Sequence, residues 1–450
     1  MVQQTMSDGF SEDVMRRLWR HRWAIFAVLT VGYFFVYFHR MSVSVVGSDI
    51  VEEVGGTIGI LSSVYFWTYT AMQIPCGLLT DRFGPRAACT TFLVLASLGS
   101  LITFAGDEFW MMVLGKMMIA AGMAVVYVPL MKLISVWFPK KDFAVLSGVV
   151  IAVGNVGAIA ASGPLSLLAE AVGWREVFLI LGLITLVLAF LCATVIRDHP
   201  SQRDLPSTEE VESRVNNESV EESSAARVPV LSGLRIVLSG GRRFWPCALA
   251  YFLVYGSIMT FQGTWAVKYF DSVYDFALSA AWMVTVLGVG KILSTVAIGA
   301  LTTRGIIRSK RTAMVLGTAA FAAVWIVIFL FAGGIDSYWF WFVVSFLFGF
   351  FGGFMTLTFA TIKEWYPIAV AGTAVSAANI FLFLGASIGT TISGFIIGTS
   401  YTLDNFSVVW GIMTVFAIVA VLLLLLSRER GADDPLFGVE EVRSITIGSE

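Results

Sequence analysis

Arg40 stands inside an apolar run long enough to cross a bilayer, with Tyr33 and Tyr37 before it and Ser44 after it. Steps of three and four residues put these four side chains on one face of a helix. A guanidinium offers five donors in a planar fork and can grip a carboxylate or phosphate through two parallel bonds. A charge inside a spanning helix is costly unless it meets a cavity, a partner or the interface. Arg40 therefore has two readings, the grip on an anionic solute or one side of a structural ion pair. The tyrosines are likewise either walls of a site or an aromatic packing stripe.

Other polar residues interrupt the apolar runs. Lys116 and Lys291 are candidates for the same solute, as are the amides of Asn155, Gln262 and Asn379, for which hydrogen bonding between helices is the alternative. Lys132 and Lys268 can reach the membrane interface instead. His39 lies on the sector beside Arg40 and titrates near neutral pH. No Asp or Glu lies deep in an apolar run, so His39 is joined by Asp49 and Glu364, at the ends of runs, as candidates for proton coupling.

The elements that must position these groups are membrane helices. The chain has 450 residues, of which 57% are hydrophobic and only 13% charged, whereas soluble domains carry about 25% charge. A span needs roughly 20 apolar residues. Runs of this kind fall at 24–46, 58–79, 87–105, 110–134, 143–168 and 174–196, and again at 245–270, 278–301, 311–332, 338–362, 369–397 and 406–427. The expected class is an all-α membrane protein with twelve transmembrane helices in two six-helix halves. The first run lacks a signal-peptidase site and is expected to persist as a helix.

Loop charge gives these spans an orientation. Arg16, Arg17, Arg20 and Arg22, then Arg82 and Arg86, Lys140 and Lys141, and the group Arg304, Arg308, Lys310 and Arg311 fall on alternate connections, whereas the intervening ones are mostly acidic. The positive-inside rule then places both termini in the cytoplasm and the chain, multi-pass, in the cell inner membrane. The halves are expected at 1–196 and 245–427, joined by a polar cytoplasmic linker at 197–244, with a cytoplasmic tail at 428–450. The linker contains Pro200, Pro206 and Pro229 and the run at 207–210, and reads as a mobile tether with a short surface helix near its end.

The composition excludes several functions. The basic residues sit in short loops and form no nucleic-acid surface, and the four cysteines are scattered without metal or disulfide spacing. No phosphate loop for ATP, no metal cluster and no nucleophilic triad is present, so neither enzyme activity nor a cofactor is expected.

The halves repeat one another. Trp137-Phe138-Pro139 follows the fourth span and Trp365-Tyr366-Pro367 the tenth; Gly148 and Asn155 are spaced like Gly372 and Asn379. Gly154, Gly157 and Gly163 on the fifth span, and Gly385 and Gly389 on the eleventh, permit close helix approach, for static packing or for rocking of the halves. Between spans two and three runs Gly77-Leu-Leu-Thr-Asp81-Arg82-Phe-Gly84-Pro-Arg86. Asp81 can meet a helix end or a basic side chain, and the two arginines can exchange ionic contacts.

This loop resembles the signature of the major facilitator superfamily, matching at Gly77, Asp81, Arg82, Gly84 and Arg86. The resemblance implies a secondary transporter with two pseudo-symmetric six-helix bundles, working by alternating access, in which this loop helps to gate one state. The equivalent second-half loop, 303–308, keeps basic character without the full pattern. The stretch from Gly32 to Arg40 is similar to the first helix of organophosphate/phosphate antiporters and related anion transporters, which implies that Arg40 contacts an anionic group. Val254 stands where those antiporters carry a second cavity arginine, and Gly154 where glycerol-phosphate members carry histidine, so phosphate chemistry itself does not transfer. The leading expectation is transport of a small organic anion by a monomer, coupled to protons or sodium or to neither. An exporter of amphipathic compounds and a transporter-like sensor, using the linker or the tail around 440–443, are the alternatives.

Overall fold

A computed structural model describes residues 10–208, 210–211, 229–430 and 434–442. Part of the linker, Glu209 and residues 212–228, and part of the tail, including Arg443, lie outside the described residues. All regular structure among the described residues is helical.

The first half contains α1 (Glu12–Val54), α2 (Ile58–Ala71), α3 (Gln73–Ala105), α4 (Phe109–Ala124), α5 (Tyr127–Trp137), α6 (Phe143–Ala160), α7 (Gly163–Val172) and α8 (Trp174–Val195). After α9 (Val230–Leu238) the second half runs through α10 (Trp245–Thr260), α11 (Ala266–Tyr274), α12 (Ser279–Thr303), α13 (Lys310–Phe331), α14 (Tyr338–Gly352), α15 (Leu357–Lys363), α16 (Ile368–Ile397) and α17 (Leu403–Leu426). At 1.5 Å per residue α1 is about 65 Å long, roughly twice the hydrocarbon thickness, so its ends extend beyond the membrane.

Several spans expected to be continuous are broken, and proline explains three of the breaks. A proline has no N–H and its ring clashes with the carbonyl four residues earlier. Pro75, Pro129 and Pro164 thus act at 71, 125 and 160, where α2 gives way to α3, α4 to α5 and α6 to α7. In the second half a π-helical turn, Phe261–Trp265, separates α10 from α11, and a 3₁₀ turn, Gly353–Thr356, separates α14 from α15. Helix α3 is itself interrupted at Gly84 (φ 81°, ψ 156°). The limb before Gly84 continues the second span, and the limb after it is the third.

Contacts group the described residues into two compact units, one drawn from Met1–Arg40, Ala71–Ala161 and Leu168–Ser223, the other from Met41–Thr70, Ser162–Leu167 and Ser224–Glu450. Within the first, Gly157 of α6 lies against the Phe34 carbonyl of α1. Within the second, Gly385 of α16 lies against the Phe252 carbonyl of α10, and Gly256 of α10 against the Gly385 carbonyl. A side chain at any of these would strike backbone, so glycine sets how near the helices pass.

The second unit also holds a seam of small and polar residues. Gly59 of α2 meets the backbone of Gly394 on α16, Trp67 Nε1 donates to Thr391 Oγ1 at 3.0 Å, and Thr70 and Ser387 share a hydrogen bond of 3.1 Å. Thr285 of α12 bonds the Ser162 hydroxyl at 2.8 Å and accepts from the Gly163 amide at 2.9 Å.

The expected short helix before the second half is α9, whose Gly233 faces Val370 and Thr373 of α16. The Tyr366 hydroxyl donates to the Val237 carbonyl at 3.0 Å, and burial pushes its pKa up despite the nearby Arg243. It therefore stays a donor.

Candidate solute-binding and gating sites

The first-half candidates form a ladder on α1. Tyr33 and Tyr37 meet edge to face at 5.3 Å between ring centres, Tyr33 lies 5.2 Å from Tyr127, and the Arg40 guanidinium carbon stands 4.6 Å from the Tyr37 ring. Arg40 is only 4% exposed. A cation over an aromatic face gains from the ring quadrupole, most of all away from water, so the spacing read from the sequence becomes a cation held on an aromatic wall. Ser44, the fourth member of the face, spends its hydroxyl on the Met41 carbonyl at 2.8 Å.

Helix α6 closes one side of this ladder. A side chain at Gly154 would come within 3.0 Å of both tyrosine rings, and the next residue, Asn155, is buried. Glycine leaves room for the rings there. Lys116 of α4 is placed differently: it is fully buried, with Nζ 4.7 Å from the centre of the Phe178 ring on α8. His39 is also fully buried.

In the second unit, Lys291 of α12 stands 5.9 Å from the Tyr255 ring of α10. Tyr255 continues into an aromatic series through Tyr251 on one side and Phe383 on the other, and Phe383 contacts Tyr69 at 4.4 Å. Gln262 sits in the π turn and is buried. Such turns displace backbone and side chains from the α-helical register and recur at functional positions. Asn379 is half-buried on α16.

The loop after the second span is tied down on both sides. Asp81 accepts from Lys132 of α5 at 2.7 Å, an exposed pair, and Arg82 turns over its neighbour Phe83. A side chain at Gly77 would meet nothing within 4 Å. Arg86 has two anchors: its amide donates to Asp198 Oδ1 at 2.7 Å, and its Nε to the Ala193 carbonyl near the end of α8 at 2.9 Å. Asp198 thus caps the limb of α3 that begins after Gly84, while Arg86 meets the negative end of α8.

The second half repeats this arrangement. The Lys310 amide donates to Glu429 Oε1 at 2.8 Å, and Arg311 Nη2 to the Leu425 carbonyl of α17 at 2.6 Å. Trp137 Nε1 donates to the Arg197 carbonyl at 3.0 Å, and Trp365 Nε1 to the Arg428 carbonyl at 3.2 Å. Asp198 and Glu429 were not among the residues singled out from the sequence. The signal for them is an Arg-carboxylate pair after the last span of each half, Arg197-Asp198 and Arg428-Glu429.

The terminal coupling candidates sit in polar surroundings. Asp49 is exposed near the end of α1. Glu364 is ion-paired with Lys310, and its carbonyl accepts from Arg430 at 3.2 Å.

Among the described residues eleven helical segments are long and apolar enough to cross a bilayer, and the break at Gly84 separates a further crossing. Large apolar side chains such as Phe395, Leu330 and Phe190 face outward. This is a multi-pass membrane protein. The sequence profile of the Major Facilitator Superfamily matches residues 29–305 and 275–447, and the chain belongs to that family. It is 26% identical over 202 residues to a probable sulfoacetate transporter of Cupriavidus necator, covering 44% of this chain and 47% of that one. It is 25% identical over 279 residues to a hexuronate transporter of Escherichia coli, covering 60% and 63%. The chain thus spans about half to two thirds of the length of these relatives. Its fold is similar to the crystal structure of a bacterial homologue of the human lysosomal transporter Spinster, with a TM-score of 0.69, 16% identity and coverage of 92% of this chain and 99% of that one.

Proposed function

We propose that this protein is a secondary active transporter that moves a small organic anion, a carboxylate or a phosphorylated metabolite, by alternating access. The observation that carries this reading is Arg40, a buried guanidinium held on the Tyr37 ring within a spanning helix of a major facilitator chain. Its planar fork matches the paired oxygens of a carboxylate or phosphate. The names of the two relatives support it, since sulfoacetate and hexuronate are both small organic anions.

In this reading Tyr33 and Tyr37 wall the solute, and Asn155, Gln262 and Asn379 select it by hydrogen bonding. Lys116 and Lys291 add positive charge. The loop from Gly77 through Asp81, Arg82 and Gly84 to Arg86 gates one state by making and breaking its ionic contacts. A proton carried by His39, Asp49 or Glu364 couples the cycle, or a sodium ion does; Glu364 must first part from Lys310. The halves at 1–196 and 245–427 move as the two working bodies of a monomer in the inner membrane, with the termini and the 197–244 linker in the cytoplasm.

Purified protein in proteoliposomes, offered carboxylates, sulfonates and sugar phosphates under imposed proton or sodium gradients, tests this. At least one anion is expected to accumulate. A charge-assisted contact is worth about 1.5–3 kcal/mol, so Arg40→Ala should weaken apparent affinity about ten- to hundred-fold, and Arg40→Lys less. Undiminished flux through folded Arg40→Ala removes Arg40 as the anion's ligand.

A further inference from the structure

Four arginines surround one open cavity at the polar ends of α10, α13 and α17. Arg242, Arg243, Arg311 and Arg428 line it together with Ser427 and Glu429, and its volume is about 590 Å³. Four positive groups against one negative leave the lining strongly positive. The carboxylate is already engaged, because Glu429 accepts from the Ser309 hydroxyl and from the Lys310 amide at the start of α13. Arg428 has a partner in Asp434 at 3.1 Å. Among the described residues no ion pair holds Arg242, Arg243 or Arg311.

Part of this cluster has a structural purpose. Arg242 Nε donates to the Leu426 carbonyl at 3.0 Å and Arg311 to that of Leu425, so both complement the end of α17. A helix end offers about half a negative charge, which leaves most of the excess in place. Helix capping does not account for the other two arginines. The Arg243 guanidinium carbon lies 5.1 Å from the Trp365 ring and 4.7 Å from Phe437, with a buried Nε that has no hydrogen-bond partner. Arg428 lies 5.6 Å from the same Trp365 ring. Two guanidiniums beside aromatic rings and two at a helix end bring several N–H donors to one cavity, an arrangement suited to the several oxygens of one phosphoryl group.

We propose that this cavity binds a phosphate-bearing anion, either the headgroup phosphodiester of an anionic lipid or free phosphate, through Arg242, Arg243, Arg311 and Arg428. None of these belongs to the candidate solute site. The cavity lies where α10 begins at Trp245 and α17 ends at Leu426, the level at which interfacial tryptophans and lipid phosphates meet. Basic clusters beside spanning helices are the usual mark of anionic-lipid recognition.

The test uses the full chain in nanodiscs of phosphatidylcholine alone, the same discs with inorganic phosphate, and discs containing phosphatidylglycerol. Thermal unfolding and native mass spectrometry supply the readouts. Stabilisation by phosphatidylglycerol alone identifies the headgroup, and stabilisation by inorganic phosphate as well identifies a free-anion site. Each basic residue near such a surface contributes about a five-fold change in affinity, so Arg243→Gln should weaken binding by about that factor. Arg235→Gln, on the exposed side of α9 and outside the cavity, should leave it unchanged. No stabilisation by either anion overturns the proposal, and so does an equal loss in Arg235→Gln, which would mean diffuse surface charge. If Arg243→Gln does not yield monodisperse protein, Arg428→Gln takes its place with the same expected loss, and undiminished binding in that variant overturns the proposal.

Discussion

Replacing Gly84 by alanine tests the construction of the loop after the second span. The residue sits at φ 81°, ψ 156°, a region essentially restricted to glycine, where another residue costs about 1–3 kcal/mol. The new methyl would also stand 2.5 Å from Asp198 Oδ2 and 3.0 Å from its Cγ. The carboxylate must move, weakening its bond to the Arg86 amide, and loss of a helix cap costs about 0.5–2 kcal/mol. The sum predicts a destabilisation of about 1.5–5 kcal/mol for Gly84→Ala, against about 0.5–2 kcal/mol for Asp198→Ala. Because the two substitutions act on one contact, the double variant should fall short of their sum by most of the capping energy. Equilibrium unfolding in mixed micelles, followed by helical circular dichroism, measures all three. If Asp198→Ala costs as much in the Gly84→Ala background as in the parent, Asp198 does not cap this limb and the reasoning fails.

Other consequences are open to direct measurement. Trp137→Phe and Trp365→Phe should each cost about 1 kcal/mol, a matched loss in the same unfolding experiment, since each removes one indole bond to a backbone carbonyl. Asp81→Asn and Lys132→Gln should change stability by at most about 1 kcal/mol, because the pair is exposed, yet slow proteoliposome flux several-fold; unchanged flux would leave the bridge a surface ornament. Gly154→Ala should raise the apparent KM for the anion while barely moving the melting temperature, because its methyl presses on Tyr33 and Tyr37. A disulfide should form between Thr70→Cys and Ser387→Cys, whose hydroxyls are 3.1 Å apart, in the parent background and be lost when Gly59→Val is added, since a side chain at Gly59 strikes the Gly394 backbone.

What could be read from the sequence had local or periodic causes. The helical class follows from apolar length, and the Tyr33–Tyr37–Arg40 ladder from helical spacing. The glycines of the fifth and eleventh spans indeed mark close crossings, as at Gly157 and Gly385. Hydropathy could not show that α2, α4 and α6 stop early, because an average over a whole span barely registers Pro75, Pro129 and Pro164, while the backbone treats each as a missing donor. Nor could it show the π turn that carries Gln262, since Phe261–Trp265 is ordinary helix-compatible sequence whose register is set by its neighbours. The partners of the loop after the second span were hidden for another reason. Asp198 is 112 residues from Arg86, and Lys132 reads as an interfacial cation until α5 is folded beside Asp81. The paired Arg-carboxylate steps after spans six and twelve are the sequence signal for Asp198 and Glu429, and it was not singled out, because neither hydropathy nor loop charge marks it.

Those two carboxylates also impose an order on biogenesis. The third span begins at a helix end whose cap, Asp198, is made 112 residues later, and the ninth waits for Glu429 across 119 residues. At about 5–20 residues per second of synthesis, each helix must spend several seconds or more at the membrane surface with its first amides served only by water and lipid. Each half can be locked only as its last span leaves the ribosome. A chain truncated within either closing span would carry the other five spans of that half already inserted and still lack the acid that fastens the third of them, which gives quality-control proteases an incomplete half to recognise.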